Sequence, residues 1–205
     1  MRQFLALFFY LLYQPLAWSY DLVAWLVSLG HWREWIASVL PHLPGPRVLE
    51  LGLGPGHLLV AMRSTEIKAV GLDFSRQMGR LARRKNPQAP LVRADGRRLP
   101  FADDSFNQLV ATFPTEYILH PDTLAGARRV LAPSGQWLLL PVAWLKGRDP
   151  LSRLAAWLFR VTGQAADWDP RFSQQVAVAG FQVEEQRIDL GHSEVMLLIA
   201  IKSPA

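Results

Sequence analysis

The chain has 205 residues, half of them hydrophobic, no cysteine, and a net charge of +5 from 22 basic and 17 acidic residues. That length supports one domain able to bury a core without staples, and the absence of cysteine excludes a disulfide framework and a thiolate metal site; no metal, zinc included, is expected. The basic excess permits contact with anionic surfaces, but arginine greatly outnumbers lysine, a bias that base composition or heat tolerance also produces.

In chain order, residues 1–46 are expected to form an N-terminal helical extension. From Phe4 to Gly30 only Asp21 is charged, and Tyr10, Tyr13, Trp18, Tyr20 and Trp25 recur. A hydropathy window nominates a membrane span of about 20 residues. Pro15, with Gln14 before it and Ser19-Tyr20-Asp21 after it, breaks that run and leaves Phe4 to Tyr13 too short to cross. Arg2 ahead of an apolar stretch also imitates a signal peptide; no convincing small-residue cleavage site follows, so a cytoplasmic protein is expected. Two readings of the extension stay open. In one, a pair of helices packs on the sheet domain as a lid, with the aromatics as core. In the other, the first helix also lies in a membrane interface, peripheral on the inner face. The segment from Leu151 to Val161, apolar with Arg153, Trp157 and Arg160, supports the second.

The stretch Val48-Leu49-Glu50-Leu51-Gly52-Leu53-Gly54-Pro55-Gly56-His57 carries an apolar run into an acid, then three alternating glycines, then a helix-compatible segment. That order describes a buried strand, a tight turn and a helix start at which a ligand can approach the backbone. A dinucleotide fold wants G-x-G-x-x-G, and after Gly52 and Gly54 the third such position is His57, so the pyrophosphate fingerprint fails. Glu50 repels phosphate and suits a cationic amino group. S-adenosylmethionine, with an ammonium and a sulfonium, fits that charge logic, and a nicotinamide oxidoreductase is a distant alternative.

A second strand, Ile67 to Leu72, ends in Asp73, where a carboxylate can accept both ribose hydroxyls. A short strand from Pro90 to Arg93 precedes Ala94-Asp95-Gly96, which sets another acid at a strand end, suited to the exocyclic amine of adenine. A strand-end Asp often only caps the next helix, but three such acids at successive strand ends reinforce one another. Between them Arg76, Arg80, Arg83, Arg84 and Lys85 make the basic face of a helix whose buried side is Met78, Leu81 and Ala82. That face is solvated by default, with anionic headgroups as the other use. No aromatic platform interleaves with it, so nucleic acid is not expected as a partner. Asp103 and Asp104 resemble a turn more than a metal site. Strand and helix patterns alternate to about Trp144 and a helical insert covers about 146–180. Phe181 to Leu190 and Glu194 to Lys202 then read as antiparallel strands joined through Gly191-His192-Ser193.

From Arg47 to about Leu140 the chain resembles the class I S-adenosylmethionine-dependent methyltransferases. Arg98-Leu99-Pro100-Phe101, Asp104-Ser105-Phe106 and Arg129-Val130-Leu131-Ala132-Pro133-Ser134-Gly135 stand where that superfamily has its later motifs. The resemblance implies an α/β fold: a Rossmann-like, seven-stranded, mostly parallel sheet with one antiparallel strand, helices on both faces and an N-terminal helical lid. Residues 47–205 would be the methyltransferase domain. It implies S-adenosyl-L-methionine as cofactor, with Glu50, Gly52, Gly54 and Gly56 lining its methionine end. Asp73 and Phe74 would serve the ribose and adenine, Asp95 and Gly96 the adenine edge, and Thr112 the floor.

Tyr20-Asp21-Leu22-Val23 and Val27-Ser28-Leu29-Gly30-His31-Trp32-Arg33-Glu34-Trp35 are similar to the approach segment of the ubiquinone/menaquinone-biosynthesis C-methyltransferases, whose acceptors are isoprenoid quinol precursors. After the fourth strand, however, Thr112-Phe113-Pro114-Thr115-Glu116-Tyr117-Ile118 replaces that family's Arg-Asn-containing segment. The resemblance therefore carries over the lid and leaves the acceptor open. Methyl transfer is an in-line displacement at an activated sulfonium, and a base is needed only if the nucleophile starts protonated. Glu116, Tyr117 and His120 follow the fourth strand at its carboxyl end, and Tyr20 reaches the same place from the lid; these four are the candidate catalytic residues. Helix capping or a salt bridge is the alternative for Glu116 and a helix start before Pro121 the alternative for His120, while His31 and His192 read as structural. The expected function is methyl transfer to a hydrophobic small molecule, quinol-like or lipid. N-methylation of a phospholipid amine and cofactor binding without turnover, as a partner or sensor, are the alternatives.

Overall fold

A computed structural model of the protein describes residues 19–147 and 168–203. The expected helices over Phe4 to Tyr13 and Leu151 to Val161 lie outside the described residues. Two short helices open the description, α1 (Tyr20–Ser28) and α2 (Trp32–Ala37). Leu29 and Gly30, both at positive φ, make the turn between them, and the Ser28 hydroxyl accepts the Trp32 amide at 3.0 Å. There follow β1 (Arg47–Leu51), α3 (His57–Met62), β2 (Lys68–Asp73), α4 (Arg76–Lys85), β3 (Leu91–Arg93) and β4 (Phe106–Thr112). A 3-10 turn at Glu116–Leu119, α5 (Pro121–Val130), β5 (Leu131–Leu145), α6 (Arg171–Val178), β6 (Phe181–Asp189) and β7 (Ser193–Lys202) complete the order.

The strands form one seven-stranded sheet in the order β3-β2-β1-β4-β5-β7-β6. β1 to β5 pair in parallel, and β7 runs antiparallel to both β5 and β6, so it is the single reversed strand the resemblance implied. The hairpin expected around Gly191 forms with register Asp189↔Glu194, Gly191 taking φ 82° at its tip. Strand order reverses between β1 and β4, and the crevice outside the carboxyl ends of the strands at such a point is where these folds bind ligands.

Two apolar layers cover the sheet, as a buried parallel sheet requires. Alternate residues of β1 divide between them. Val48 joins Trp32, Trp35, Ile36, Val39, Leu58, Met62 and Ala82 on one face, while Leu49 and Leu51 join Leu124, Ala127, Val130 and Val176 on the other. Helices α1 and α2 thus contribute to the same core as α3 and α4. Trp35 is fully buried, and its Nε1 donates to Ser193 Oγ at 2.7 Å across 158 residues of sequence.

Candidate cofactor crevice

Glu50 and Asp73 come near one another because β1 and β2 are adjacent and parallel: Glu50, next to last in β1, pairs with Gly71, and Asp73 ends β2 two residues further on. Glu50 is buried at 2% exposure, and its Oε2 has no hydrogen-bond partner. Burial, with the Asp73 charge adding to it, pushes its carboxyl well above the usual range. Asp73 is also raised by burial, to about 6, against the opposing effect of two backbone amides. Its Oδ1 accepts the Ser75 amide at 2.7 Å and its Oδ2 the Gly54 amide at 2.9 Å. Capping of α4 falls to Ser75, whose hydroxyl accepts the Met78 amide. Asp73 is thereby free of that duty and braces the turn after β1.

The three glycines of that turn divide the work. Gly52, Gly54 and Gly56 all have positive φ, where a side chain is strained. A β-carbon on Gly54 would meet nothing within 4 Å, so this turn lies open to a ligand. A β-carbon on Gly56 would stand 3.0 Å from the Ala82 β-carbon and from Asn86 Nδ2, so Gly56 allows the close approach of α3 to α4. Asn86, missed at the sequence level, secures that approach: its buried Nδ2 donates to the Gly56 carbonyl at 3.1 Å. The signal for it is a polar residue before Pro87 at a helix end.

Gly52 and Gly96 meet the same side chain. β-Carbons on them would stand 2.6 Å from the Tyr117 hydroxyl and 2.6 Å from Tyr117 Cε2 respectively. The Tyr117 ring therefore occupies the gap between the turn after β1 and the turn after β3. Asp95 lies at that second turn, chelated by Arg97, whose Nη2 donates to Oδ2 at 2.6 Å and whose Nε lies 3.0 Å from Oδ1. These hydrogen bonds hold its carboxyl below the usual range. Asp95, Arg97, Arg98, His120 and Asp122 line a cleft of about 450 Å³.

Of the remaining candidates, Phe74 stands 62% exposed beside Asp73, a face free for a planar ligand. Thr112 is half-buried at the end of β4, and Glu116 is exposed. His120 is the N-cap of α5: its Nδ1 accepts the Asp122 amide at 3.2 Å, the structural role anticipated as its alternative. Tyr20 packs edge-on against Trp32, with centroids 6.2 Å apart, and Trp32 stacks on Phe113 at 4.4 Å. Phe113 adopts φ 48°, a costly backbone for a non-glycine residue, and is buried. Tyr20 thus communicates with the loop after β4 through two rings. Further contact between lid and domain comes from Asp21, whose Oδ1 stands 2.8 Å from His57 Nε2 and whose Oδ2 accepts from Lys85 Nζ at 2.7 Å.

Residues 48–135 match the family described as a methyltransferase domain. The chain is 30% identical over 129 residues to the demethylmenaquinone methyltransferase of Renibacterium salmoninarum, covering 61% of this chain and 54% of that protein. It is 30% identical over 153 residues to the demethylmenaquinone methyltransferase of Mycobacterium sp. strain KMS, covering 73% and 64%. The matched stretch thus spans under two thirds of these relatives' length. Among solved structures, YcgJ of Bacillus subtilis superposes with a TM-score of 0.62 at 16% identity, over 84% of this chain and 99% of that one. Phosphoethanolamine N-methyltransferase 2 of Haemonchus contortus, solved with S-adenosyl-L-methionine, superposes with a TM-score of 0.60 at 15% identity, over 85% and 53%.

Proposed function

We propose, from the match of residues 48–135 to a methyltransferase domain family, that the chain is a class I methyltransferase that transfers a methyl group from S-adenosylmethionine to a hydrophobic small molecule of quinol or lipid type. The observation that carries the cofactor reading is the pair of buried acids beside an open glycine turn. Glu50 has an oxygen without a hydrogen-bond partner, a costly state that a bound ammonium relieves. Asp73 keeps unused lone pairs on both oxygens for the ribose hydroxyls, because each accepts only one amide. Phe74 supplies the adenine face, and Gly96 with Asp95 its edge.

S-adenosylmethionine supplies a methyl group already activated on a sulfonium. The chain's task is to align an acceptor and exclude water. Tyr117 is the candidate for touching the reacting atoms, since its ring spans the two glycine turns. Glu116, His120 and Tyr20 are the further candidates for acting on an acceptor proton. The acceptor class rests on the names of the relatives and on an apolar stripe along the outside of α1, where Leu22, Trp25 and Leu26 are each about half exposed. Their i, i+3, i+4 spacing gives one face to a lipid-like molecule or to the bilayer that holds it. Among the described residues no helix is long and apolar enough to cross a membrane; the association proposed is peripheral.

Incubation with labelled cofactor and a lipid extract, followed by product analysis, tests this reading: a labelled neutral lipid supports it. A labelled phospholipid amine would move the acceptor to a headgroup. The alternative reading is cofactor binding without turnover. Cofactor binding by calorimetry with no labelled product from any extract decides for that one.

A further inference from the structure

Where α2 meets the β6–β7 hairpin, three potential ligand atoms converge on the side of the sheet that the lid covers. His31 Nδ1 lies 3.3 Å from Glu34 Oε2, His192 Nε2 lies 3.2 Å from the same oxygen, and all three atoms lie within 4.8 Å of one another. Ligand atoms on a tetrahedral zinc ion with bonds near 2.0–2.1 Å stand about 3.3 Å apart. His192 Nε2 is shielded from solvent and makes no hydrogen bond, because its approach to Glu34 has the distance of an ion pair without the angle of a hydrogen bond. We propose that His31, Glu34 and His192 form a three-ligand site for a divalent transition metal, zinc in the first instance, which fastens the N-terminal helices to the terminal hairpin. The expectation of no metal rested on the lack of thiolates, and two imidazoles with one carboxylate are a sufficient zinc set.

The backbone holds these residues in place before any metal arrives. His31 caps α2, accepting the Trp35 amide at 3.0 Å, and Glu34 follows one turn later on the same side. The His192 carbonyl accepts the Lys146 amide at 2.9 Å and its amide donates to Leu190 at 3.1 Å. One residue on, buried Ser193 takes the Trp35 indole hydrogen bond, so the two halves are already registered. The two imidazoles stack at 3.4 Å with planes 23° apart, so metal entry requires the rings to fan apart until both lone pairs converge. Side-chain exposures of 33%, 47% and 37% for His31, Glu34 and His192 leave room for that rotation. Nitrogen donors select zinc, cobalt, nickel or copper over magnesium and calcium, and three protein ligands leave the fourth position to water.

The full chain, stripped with a chelator and dialysed, is titrated with zinc chloride and separately with cobalt chloride. The expected result is one equivalent bound with a dissociation constant below about 10 µM and a melting temperature raised by roughly 3 °C or more in excess zinc. Visible cobalt absorption of a four- or five-coordinate nitrogen-ligated ion should accompany it. The double variant His31→Ala/His192→Ala should lose all three signals, Glu34→Gln should weaken binding at least about tenfold, and His42→Ala should keep them. Wild-type protein that neither binds zinc below 100 µM nor colours with cobalt overturns the proposal without any variant. Undiminished binding by the double variant, with circular dichroism confirming its fold, overturns it equally.

Discussion

The Asp73 carboxylate accepts the Gly54 amide at 2.9 Å, so the acid that ends β2 holds the shape of the turn that follows β1. One residue thus serves the crevice twice, as proposed ribose ligand and as brace. Asp73→Ala should weaken S-adenosylhomocysteine binding at least about tenfold, from charge-assisted bonds of about 1.5–3 kcal/mol each. Calorimetry on the folded variant checks this, and unchanged affinity would remove Asp73 from the site. Asp95→Ala should cost less, because Arg97 already engages that carboxylate.

The same residue gives the binding a pH dependence. Burial lifts Asp73 to about 6 in the folded protein, against about 3.9 in an unfolded chain. Its contribution to stability is therefore full below the unfolded value and lost as pH rises through about 6; the raised Glu50 carboxyl acts in the same direction. A ribose needs the carboxylate form, so affinity for S-adenosylhomocysteine should fall toward tenfold per unit as pH drops below 6. Calorimetry in buffers of different ionisation enthalpy should also detect proton release near pH 6. A flat profile from pH 5 to 8 counts against the assignment.

Tyr117 lies in the path from Gly52 to Gly96, so a ligand spanning them must displace the ring. Tyr117→Ala removes that competitor and should tighten S-adenosylhomocysteine binding by about two- to tenfold, because less protein is held in the closed form. Turnover, if Tyr117 touches the reacting atoms, should fall in the same variant. Gly52→Ala should weaken binding, since a β-carbon there strains φ 73° and takes space on the turn proposed to line the methionine end of the cofactor. Equal affinities in all three proteins would mean that the ring is no gate.

The crevice was legible in the sequence wherever a residue type and a strand end coincide. Glu50, Asp73, Asp95 and the glycine turn follow from local pattern alone, and so does the terminal hairpin around Gly191. Contacts across long separations left no such trace. Asn86 holding Gly56 and Asp21 joining His57 to Lys85 depend on how α1, α3 and α4 pack, and Tyr117 filling the space of two absent side chains depends on how the loop after β4 meets the turns after β1 and β3. His31 and His192 likewise read as structural residues singly, since no spacing rule links positions 161 residues apart.

The Trp35–Ser193 bond offers a test of how firmly the lid belongs to the core. Both residues are fully buried, and the indole N–H reaches the hydroxyl at 2.7 Å. Ser193→Ala removes the acceptor of this buried hydrogen bond, at a cost of about 1–3 kcal/mol. In a domain of this size the melting temperature should fall by roughly 2–10 °C. Ser193→Thr, which keeps the hydroxyl, should recover part of the loss. Glu50, Asp73 and Gly54 belong to other strands and turns, so affinity for S-adenosylhomocysteine should stay within about twofold in both variants at temperatures below their melting. A drop in cofactor affinity matching the drop in stability would mean that α1 and α2 shape the crevice itself. An unchanged melting temperature in Ser193→Ala would show that the bond contributes nothing to holding the lid.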